Sequence, residues 1–354
     1  MPKTKSKKQG TKAKKQGTAA FAIGVDLGGT NLRIAVVDER GKLLEKITTQ
    51  TRVSRPRDEA IAEMCRAIQA LEKKRAASGR LAGVGVGVPG IIDLQSGTLR
   101  KSPNLPGWHD YPVREEIERR LGTRVILEND ANAAALGEKW LGAGRAVDDL
   151  CMITLGTGVG GGIVLGGRIW HGMTGMAGEL GHITVEAVGP PCGCGSRGCL
   201  EQFASATAIE RMAREAAAGG SAPALARVTA KRGFNSQTVF QVAQAGGPGA
   251  QEIFDRVGRG LGIVLAGLIN TFNLPMYVIG GGVADAWEAF SPAMLEEVRK
   301  RSFVYVATSA HPKGGKTVIA KAELGSDAGL VGAARLALMC EEAAAHDRAR
   351  RPAR

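Results

Sequence analysis

The chain has 354 residues, 44% of them hydrophobic, and a formal net charge of +13. This length and apolar content are sufficient for two domains with substantial cores, while 50 glycines exclude a plain helical bundle and indicate many tight turns. The sequence has no apolar run of about 18 residues and no apolar segment behind its lysine-rich start. We therefore expect a soluble, cytoplasmic protein without a membrane partner.

The positive charge is concentrated at the two ends of the chain. Residues 1–17 hold seven lysines and no acid, so removing them lowers the net charge from +13 to +6. We expect disordered tails at residues 1–20 and 346–354. Because neither tail has the pattern of a recognition helix or an aromatic stacking platform, we expect no specific nucleic-acid partner, only weak attraction to polyanions.

The first half of the folded chain predicts an antiparallel meander followed by alternating helices and strands. The expected elements, in order, are strands at Phe21–Asp26, Leu32–Asp38 and Lys42–Thr51, a helix from Asp58 to near Ala77, a strand at Leu81–Val88, a helix at Val113–Leu121, a strand at Arg124–Glu128 and a helix from Asn129 to Gly142.

The second half begins with the same pattern. Strands are expected at Leu150–Leu155, Ile163–Leu165 and Arg168–Trp170, with a glycine turn over 156–162; helical patterns then cover 205–231 and 236–274, followed by a strand at Met276–Ile279 and a helix at Ala328–Cys340. The repeated order of strand, glycine-threonine turn, strand, glycine turn and strand predicts two duplicated α/β domains facing each other across a cleft.

Each half carries a turn suited to phosphate. In the first, Gly28, Gly29, Thr30 and Asn31 follow Asp26 at the end of a strand, where glycines allow backbone N–H groups to approach an anion. Asp26 is placed to hold Mg²⁺ through water. An ordinary glycine hairpin explains this turn alone, but Gly156, Thr157 and Gly158 repeat it in the second half. Two such turns facing one cleft could hold the phosphates of a nucleotide from both sides.

The segment Gly156-x-Gly158-x-x-Gly161 also matches the dinucleotide-binding fingerprint. That fingerprint requires a helix directly after the turn, whereas a β-rich segment and a second glycine turn follow here. The pattern therefore argues against a nicotinamide cofactor. No P-loop motif is present.

Polar residues also lie at two places in the first half that suit substrate binding. Asn104 is held in a loop between Pro103 and Pro106, and Asn129 and Asp130 lie where a strand ends and a helix begins. A carboxylate at that position can orient and deprotonate a substrate hydroxyl. The alternative for Asp130 is a plain helix cap, worth about 1 kcal/mol.

Three cysteines and a histidine form the most informative cluster. Cys192, Cys194 and Cys199 lie within eight residues, and His182 is ten residues upstream. This set suits a closed tetrahedral Zn²⁺ site; the alternative is a disulfide or free thiols, although Cys192 and Cys194 are too close to bridge each other comfortably. Glu179 and Glu201 flank the cluster, which suggests that the metal shapes a pocket lined by carboxylates.

Taken in chain order, these motifs resemble the ROK family of bacterial sugar kinases and repressors, and its glucokinases in particular. The segments that carry the resemblance are Asp26-Leu-Gly-Gly-Thr30, Pro103-Asn-Leu-Pro-Gly-Trp108, Glu128-Asn-Asp130, Leu155-Gly-Thr-Gly-Val-Gly-Gly-Gly162, Glu179-Leu-Gly-His182 and Cys192-x-Cys194-x₄-Cys199-Leu-Glu201. The resemblance implies an actin-like ATPase (ribonuclease H-like) fold. Its domains would be 21–143 and 144–327, with a helix at 328–345 packing back on the first.

The resemblance also implies roles for the site residues. Asp130 would be the general base, while Asn104, Asn129, Glu179, His182 and Glu201 would bind sugar hydroxyls together with Asp130. His182 would also bind the structural zinc, and Gly281 would lie near the adenosine of ATP. Homodimers are common in the family.

These roles predict ATP-dependent phosphorylation of glucose at O6. Alternatives are another hexose (mannose, fructose or an N-acetylhexosamine), polyphosphate as the donor, a sugar-responsive repressor, or a sugar sensor without catalysis. Family repressors carry a winged helix-turn-helix ahead of the kinase-like part; the lysine-rich segment before Phe21 does not have that pattern, and Asp130 favours catalysis.

Overall fold

The computed structural model describes residues 19–51, 56–310 and 315–350. Most of the expected N-terminal tail, and the last four residues of the expected basic tail, lie outside these ranges. Within them, no helix combines the length and apolar character needed to cross a membrane.

The first half is built around a five-stranded sheet in the order β3-β2-β1-β4-β7. Its elements are β1 (Ala20–Leu27), β2 (Asn31–Asp38), β3 (Leu43–Gln50), α1 (Arg57–Arg75), β4 (Arg80–Val88), the hairpin strands β5 (Ile91–Asp93) and β6 (Thr98–Lys101), α2 (Val113–Leu121), β7 (Val125–Asn129) and α3 (Asp130–Leu141). Strands β1, β2 and β3 run antiparallel, while β4 and β7 are parallel to β1.

The second half repeats this arrangement, in the order β10-β9-β8-β11-β12. Its elements are β8 (Leu150–Leu155), β9 (Val159–Leu165), β10 (Arg168–Ile169), α4 (Glu201–Ala204), α5 (Ala206–Ala218), α6 (Pro223–Arg232), α7 (Ser236–Gln244), α8 (Pro248–Phe272), β11 (Met276–Gly280), α9 (Trp287–Arg301), α10 (Phe303–Ser309), β12 (Val318–Lys321) and α11 (Ala328–Arg350), with 3₁₀ helices at Leu180–His182, Gly282–Ala286 and Gly325–Asp327. Strand directions also match those of the first sheet.

Helices α3 and α11 lie between the two sheets and pack on each other. Alanine residues of α11, including Ala334, share a buried cluster with Ala22 and Ala35 of the first sheet, whereas α3 covers the second sheet. The two helices approach so closely that a Cβ on Gly332 of α11 would overlap the backbone of Ala133 in α3. Glycine is required at this crossing, which fixes the helix that begins at Asp130 relative to both halves.

Two long helical patterns are broken where the sequence suggested continuity. The pattern expected over 205–231 divides into α5 and α6 after Gly219, and that over 236–274 divides into α7 and α8 at Gly246 and Gly247. In both cases proline opens the next helix. Glycine has low helix propensity and proline is favoured only in the first turn, which explains the two breaks.

Two boundaries differ from expectation by several residues. Strand β9 begins at Val159, because residues 159–162 pair with β8 across a shorter turn than the expected 156–162. Helix α11 continues to Arg350, beyond the expected end at residue 345, and an ion pair between Arg348 and Glu341 at 3.0 Å lies along this extension.

Candidate active site

The first glycine turn joins β1 to β2 and places Asp26 at the end of β1. The backbone N–H of Gly28 donates to the carbonyl of Asn31 at 2.9 Å, which closes the turn around Gly29 and an exposed Thr30. Asp26 is half-buried, and its carboxylate lies 3.4 Å from the guanidinium of Arg33. Burial raises the pKa of Asp26, and the positive charge of Arg33 partly opposes that shift.

The second glycine turn joins β8 to β9 at the matching place. The N–H of Gly156 donates to the carbonyl of Gly158 at 2.9 Å, and Thr157 is exposed at its tip. Gly281, which follows β11, has a φ of +84°, and an added Cβ would lie 2.6 Å from the backbone nitrogen of Leu155. The structure therefore brings Gly281 directly beside the second turn.

Asn129 and Asp130 lie at the junction between β7 and α3. The side-chain oxygen of Asn129 caps the helix by accepting the N–H groups of Ala131 at 2.9 Å and Asn132 at 3.2 Å. The plain helix cap is therefore Asn129, and Asp130 is the first residue of the helix. Its carboxylate accepts the N–H of Ala131 at 2.9 Å, and the residue as a whole is half-buried.

The surroundings of Asp130 favour its protonated form. Its pKa is raised to about 6, first by burial and then by the negative charges of Asp26 and Glu179, while the Ala131 N–H opposes the shift. A carboxyl group that ionises close to neutral pH is suited to accept a proton from a substrate hydroxyl. Asp26, just before the first turn, and Glu179, next to the cysteine-rich region, are therefore the charged neighbours of Asp130.

Asn104 lies in an exposed loop over the first turn. Its backbone carbonyl is so close to Gly29 that an added Cβ there would lie 2.7 Å from the oxygen. Buried Leu105 and Trp108 anchor this loop, and Trp108 packs edge-to-face on Tyr111 with ring centroids 5.5 Å apart. The Asn104 side chain is exposed above the turn that follows Asp26.

The cysteine-histidine cluster is assembled as the sequence predicted. One donor atom from each of His182, Cys192, Cys194 and Cys199 lies within 4.8 Å of the others. Cys192 Sγ is 3.7 Å from His182 Nδ1, and Cys194 Sγ is 3.7 Å from Cys199 Sγ. All six cysteines of the chain are free thiols, so the structure contains no disulfide at this place.

The two flanking carboxylates face different neighbours. Glu179 Oε2 lies 4.0 Å from His182 Nε2, on the side of the imidazole that points away from the sulfur atoms. Glu201 Oε2 instead accepts the backbone N–H of Val159, just after the second turn, at 3.0 Å. The cluster thus lies between a carboxylate near Asp130 and one that contacts the second glycine turn.

Comparison with known proteins identifies the family. A model of the ROK family matches residues 22–339. The chain belongs to the ROK family. It is 40% identical over 316 residues to the glucokinase of Thermotoga maritima, with coverage of 89% of this chain and 96% of that protein. It is also 31% identical over 283 residues to the xylose repressor of Caldicellulosiruptor bescii, with coverage of 80% and 71%.

A solved structure of the ROK family shows the same architecture. The ROK family glucokinase from Streptomyces griseus, in complex with glucose and AMPPNP, superposes with a TM-score of 0.74 at 35% identity, covering 90% of this chain and 99% of that one. These matches confirm both the resemblance stated from the sequence and the α/β actin-like ATPase fold with two duplicated halves.

Sequence reasoning assigned no role to three residues that contact this site. Arg33 pairs with Asp26, and its guanidinium also donates to the carbonyl of Ser326 at 2.8 Å. Buried Glu128 lies 2.7 Å from His171 Nε2, a hydrogen bond that raises the pKa of His171. His171 is one of only five histidines in the chain, which is the one signal that could have singled it out.

Proposed function

We propose that this ROK protein is a glucokinase, which transfers the γ-phosphoryl group of ATP to O6 of glucose with Asp130 as general base. The observation that carries this proposal is the position of the Asp130 carboxyl group at the start of α3, where burial and the negative charges of Asp26 and Glu179 raise its pKa to about 6. Two matched turns on either side suit a nucleotide, and the related Streptomyces griseus enzyme binds glucose and an ATP analogue.

In the proposed reaction, Asp130 removes the proton from the sugar O6 hydroxyl. The oxygen then attacks the γ-phosphorus, the bond from that phosphorus to the bridging oxygen breaks, and ADP leaves with the bond's electron pair. Phosphoryl transfer depends mainly on positioning and charge stabilisation. The backbone N–H groups of Gly28–Asn31 and Gly156–Gly158 would orient the phosphates, and Gly281 would border the adenosine.

Mg²⁺ is the expected cation, and the carboxylate of Asp26 is suited to hold it. A half-buried carboxylate with one guanidinium neighbour retains acceptor capacity, and Mg²⁺ is commonly bound through one or two carboxylates and water. The cation would neutralise charge on the phosphates. Arg33 would keep the Asp26 carboxylate ionised and oriented.

Zn²⁺ is the expected metal at His182, Cys192, Cys194 and Cys199. Zinc–sulfur bonds of about 2.3 Å in a tetrahedron separate sulfur atoms by about 3.8 Å, close to the 3.7 Å between Cys194 and Cys199. Four protein donors leave no open position, so the metal would be structural. It would hold His182 with Nδ1 towards the metal and Nε2 towards the sugar site.

The sugar would be bound by Asn104, Asn129, Glu179, His182 and Glu201 beside Asp130. Several carboxylate and amide acceptors can distinguish hexoses, because a buried polar group left without a partner costs about 1–3 kcal/mol. Mannose, fructose and N-acetylhexosamines are the competing substrates, and polyphosphate is the competing donor.

We further propose that the protein is a homodimer that acts in the cytoplasm without a nucleic-acid partner. Light scattering coupled to gel filtration tests the dimer.

A glucose 6-phosphate assay with ATP and Mg²⁺ tests the proposal directly. We expect turnover by the wild type, a loss of about 10²-fold or more in Asp130→Asn, and no loss in the matched control Asp347→Asn on exposed α11. The amide preserves shape and the hydrogen bond from Ala131 but cannot take the proton. Turnover of another hexose but not glucose would change the proposed substrate, and turnover with polyphosphate but not ATP would change the proposed donor. Sugar binding without turnover would favour a sensor.

A further inference from the structure

We propose that His171 is a positioning residue, which holds the loop leading to the sugar-binding Glu179 and His182 against the start of the helix that carries Asp130. The inference rests on the proposed function, because it concerns how the Glu179 and His182 side of the sugar site is held at a fixed distance from the Asp130 side. His171 belongs to the second half of the chain, just beyond Trp170 and the end of β10, and its partner Glu128 lies near the end of β7 in the first half.

The contact joins an accessible imidazole to a buried carboxylate. His171 Nε2 lies 2.7 Å from Glu128 Oε2, and the Glu128 side chain is only 4% exposed. The other oxygen of Glu128 accepts the N–H of Asn129 at 2.9 Å and the side-chain amide of Asn132 at 3.0 Å. A buried carboxylate is costly unless its oxygens have partners. His171 thus completes a set of hydrogen bonds that surrounds the β7–α3 junction on both sides of Asp130.

The loop that follows His171 is attached to the second half at its two ends. The N–H of Trp170 donates to the carbonyl of Ile163 in β9 at 2.8 Å. At the far end, Gly178 packs on β9 so closely that an added Cβ would lie 2.7 Å from the carbonyl of Gly161. Between these ends the loop packs against the first half of the chain. An added Cβ at Gly175 would lie 3.5 Å from the carbonyl oxygen of Ile92.

The hydrogen bond therefore acts where the loop leaves its own sheet and meets the other half. Beyond the loop, the chain continues into Glu179 and the 3₁₀ helix Leu180–His182. These groups and Asp130 must act on the same sugar, one set by binding its hydroxyls and the other by removing a proton. A misplacement of about 1 Å between such groups can reduce a rate by about 10²-fold. His171 controls that separation without contacting the sugar.

Two substitutions of His171 separate positioning from general stability. His171→Leu keeps the size of the side chain and removes the hydrogen bond. His171→Gln keeps a donor, because the amide nitrogen of glutamine reaches the position of Nε2. His346→Leu makes the same chemical change at an exposed histidine on α11. We would measure kcat and the KM for glucose on folded protein, with thermal unfolding and backbone amide exchange recorded for each variant.

We expect His171→Leu to lower kcat by about 10- to 100-fold, with His171→Gln recovering most of the rate and His346→Leu remaining unchanged. Amide exchange should rise in residues 129–132 and 171–178 of the leucine variant. As a second test, Glu128→Gln should lower kcat less than His171→Leu does. The new amide group can donate a hydrogen bond to Nε2 of a neutral His171, which keeps the contact.

Three results would overturn the inference: a normal kcat in His171→Leu with only a lower Tm, a glutamine variant as impaired as the leucine variant, or unchanged exchange in both segments. Failure of the proposed function would look different. The wild type would be inactive on every hexose, while the exchange data would still report whether His171 holds the loop.

Discussion

Glu201 Oε2 accepts a hydrogen bond from the backbone N–H of Val159 at 3.0 Å, and so joins the cysteine-rich region to the second glycine turn. The same oxygen lies so close to Gly158 that an added Cβ would be 2.5 Å away. Two further bonds connect the segment after Glu201 to the turn: the N–H of Ala206 donates to the carbonyl of Gly156, and the hydroxyl of Thr207 to that of Thr157, both at 2.8 Å. One Glu201 oxygen is thus engaged by the turn, and the proposed contact with a sugar hydroxyl would use the other.

We expect Glu201→Ala to weaken nucleotide binding even when no sugar is present. Loss of a charge-assisted hydrogen bond to the turn should lower the affinity for AMPPNP and Mg²⁺ by about tenfold, measured by titration calorimetry. Glu179→Ala is the matched comparison, because Glu179 contacts His182 rather than the turn; it should weaken sugar binding and leave nucleotide affinity near the wild-type value. Equal nucleotide affinities in the two variants would show that Glu201 does not support the turn.

The pH dependence of the reaction should report the ionisation of Asp130. A general base must be deprotonated, so kcat/KM should rise with pH through a midpoint near the pKa of about 6 and then reach a plateau. Glu179→Gln should move the midpoint to lower pH, because the negative charge of Glu179 helps to raise the pKa of Asp130. A midpoint close to 4, the ordinary range of an aspartate, would contradict the assignment.

The same shift predicts how Asp130 affects stability. The folded protein favours the protonated carboxyl, so the stability that this group contributes is present at acidic pH and is lost as pH rises through about 6. Asp130→Asn removes the ionised form altogether. We expect it to raise Tm at about pH 8 and to raise it progressively less as the pH approaches 5; scanning calorimetry across that range is the measurement. An equal gain at every pH would indicate a packing effect instead.

The sequence alone predicted the elements whose signals are local. Alternating strands and glycine turns at 22–51 and 150–170 indicated the duplication, and the spacing of Cys192, Cys194 and Cys199 indicated the cluster. The helical pattern at 236–274 was less informative, because its apolar spacing continues across the break at Gly246 and the break depends on a short glycine-proline segment.

The contacts missed from the sequence depend on which strands and loops pair in the fold. Glu128 was part of a recognised motif, but its partner His171 is 43 residues away in a loop without a pattern of its own. Arg33 lies only seven residues from Asp26, and its pairing with Asp26 depends on the register of the hairpin between β1 and β2. Pairing across a cleft depends on the tertiary arrangement and not on spacing along the chain.

Zinc should be bound by the purified protein at about one ion per chain and should be required for sugar affinity. Cys194→Ser removes one of four donors, so we expect loss of the metal and weaker glucose binding, because Glu179, His182 and Glu201 lie beside or within the cluster. Cys340→Ser, at a half-buried cysteine of α11, is the control and should retain both properties. Metal analysis and titration calorimetry provide the readouts; tight glucose binding by a zinc-free Cys194→Ser protein would refute a structural role for the metal.

Glu138 connects α3 to the segment that precedes α11. It is fully buried in α3. Its carboxylate accepts three backbone N–H groups, from Ala143 at 2.9 Å, Glu323 at 3.1 Å and Leu324 at 2.8 Å. Two of these donors belong to the connection between β12 and α11, so one side chain fixes α3 to the segment that leads into the neighbouring helix.

Glu138→Gln should therefore destabilise the protein although it changes only one atom. The new amide group would point its own N–H bonds at backbone donors, leaving at least one of them without an acceptor in the interior. We expect a loss of about 2–4 kcal/mol in the free energy of unfolding, measured by urea denaturation. Glu342→Gln, on exposed α11 in an ion pair with Arg335, should change that free energy very little. If the two variants were equally stable, the three N–H groups would have to be satisfied without the carboxylate, and Glu138 would not be what fixes α3 to the start of α11.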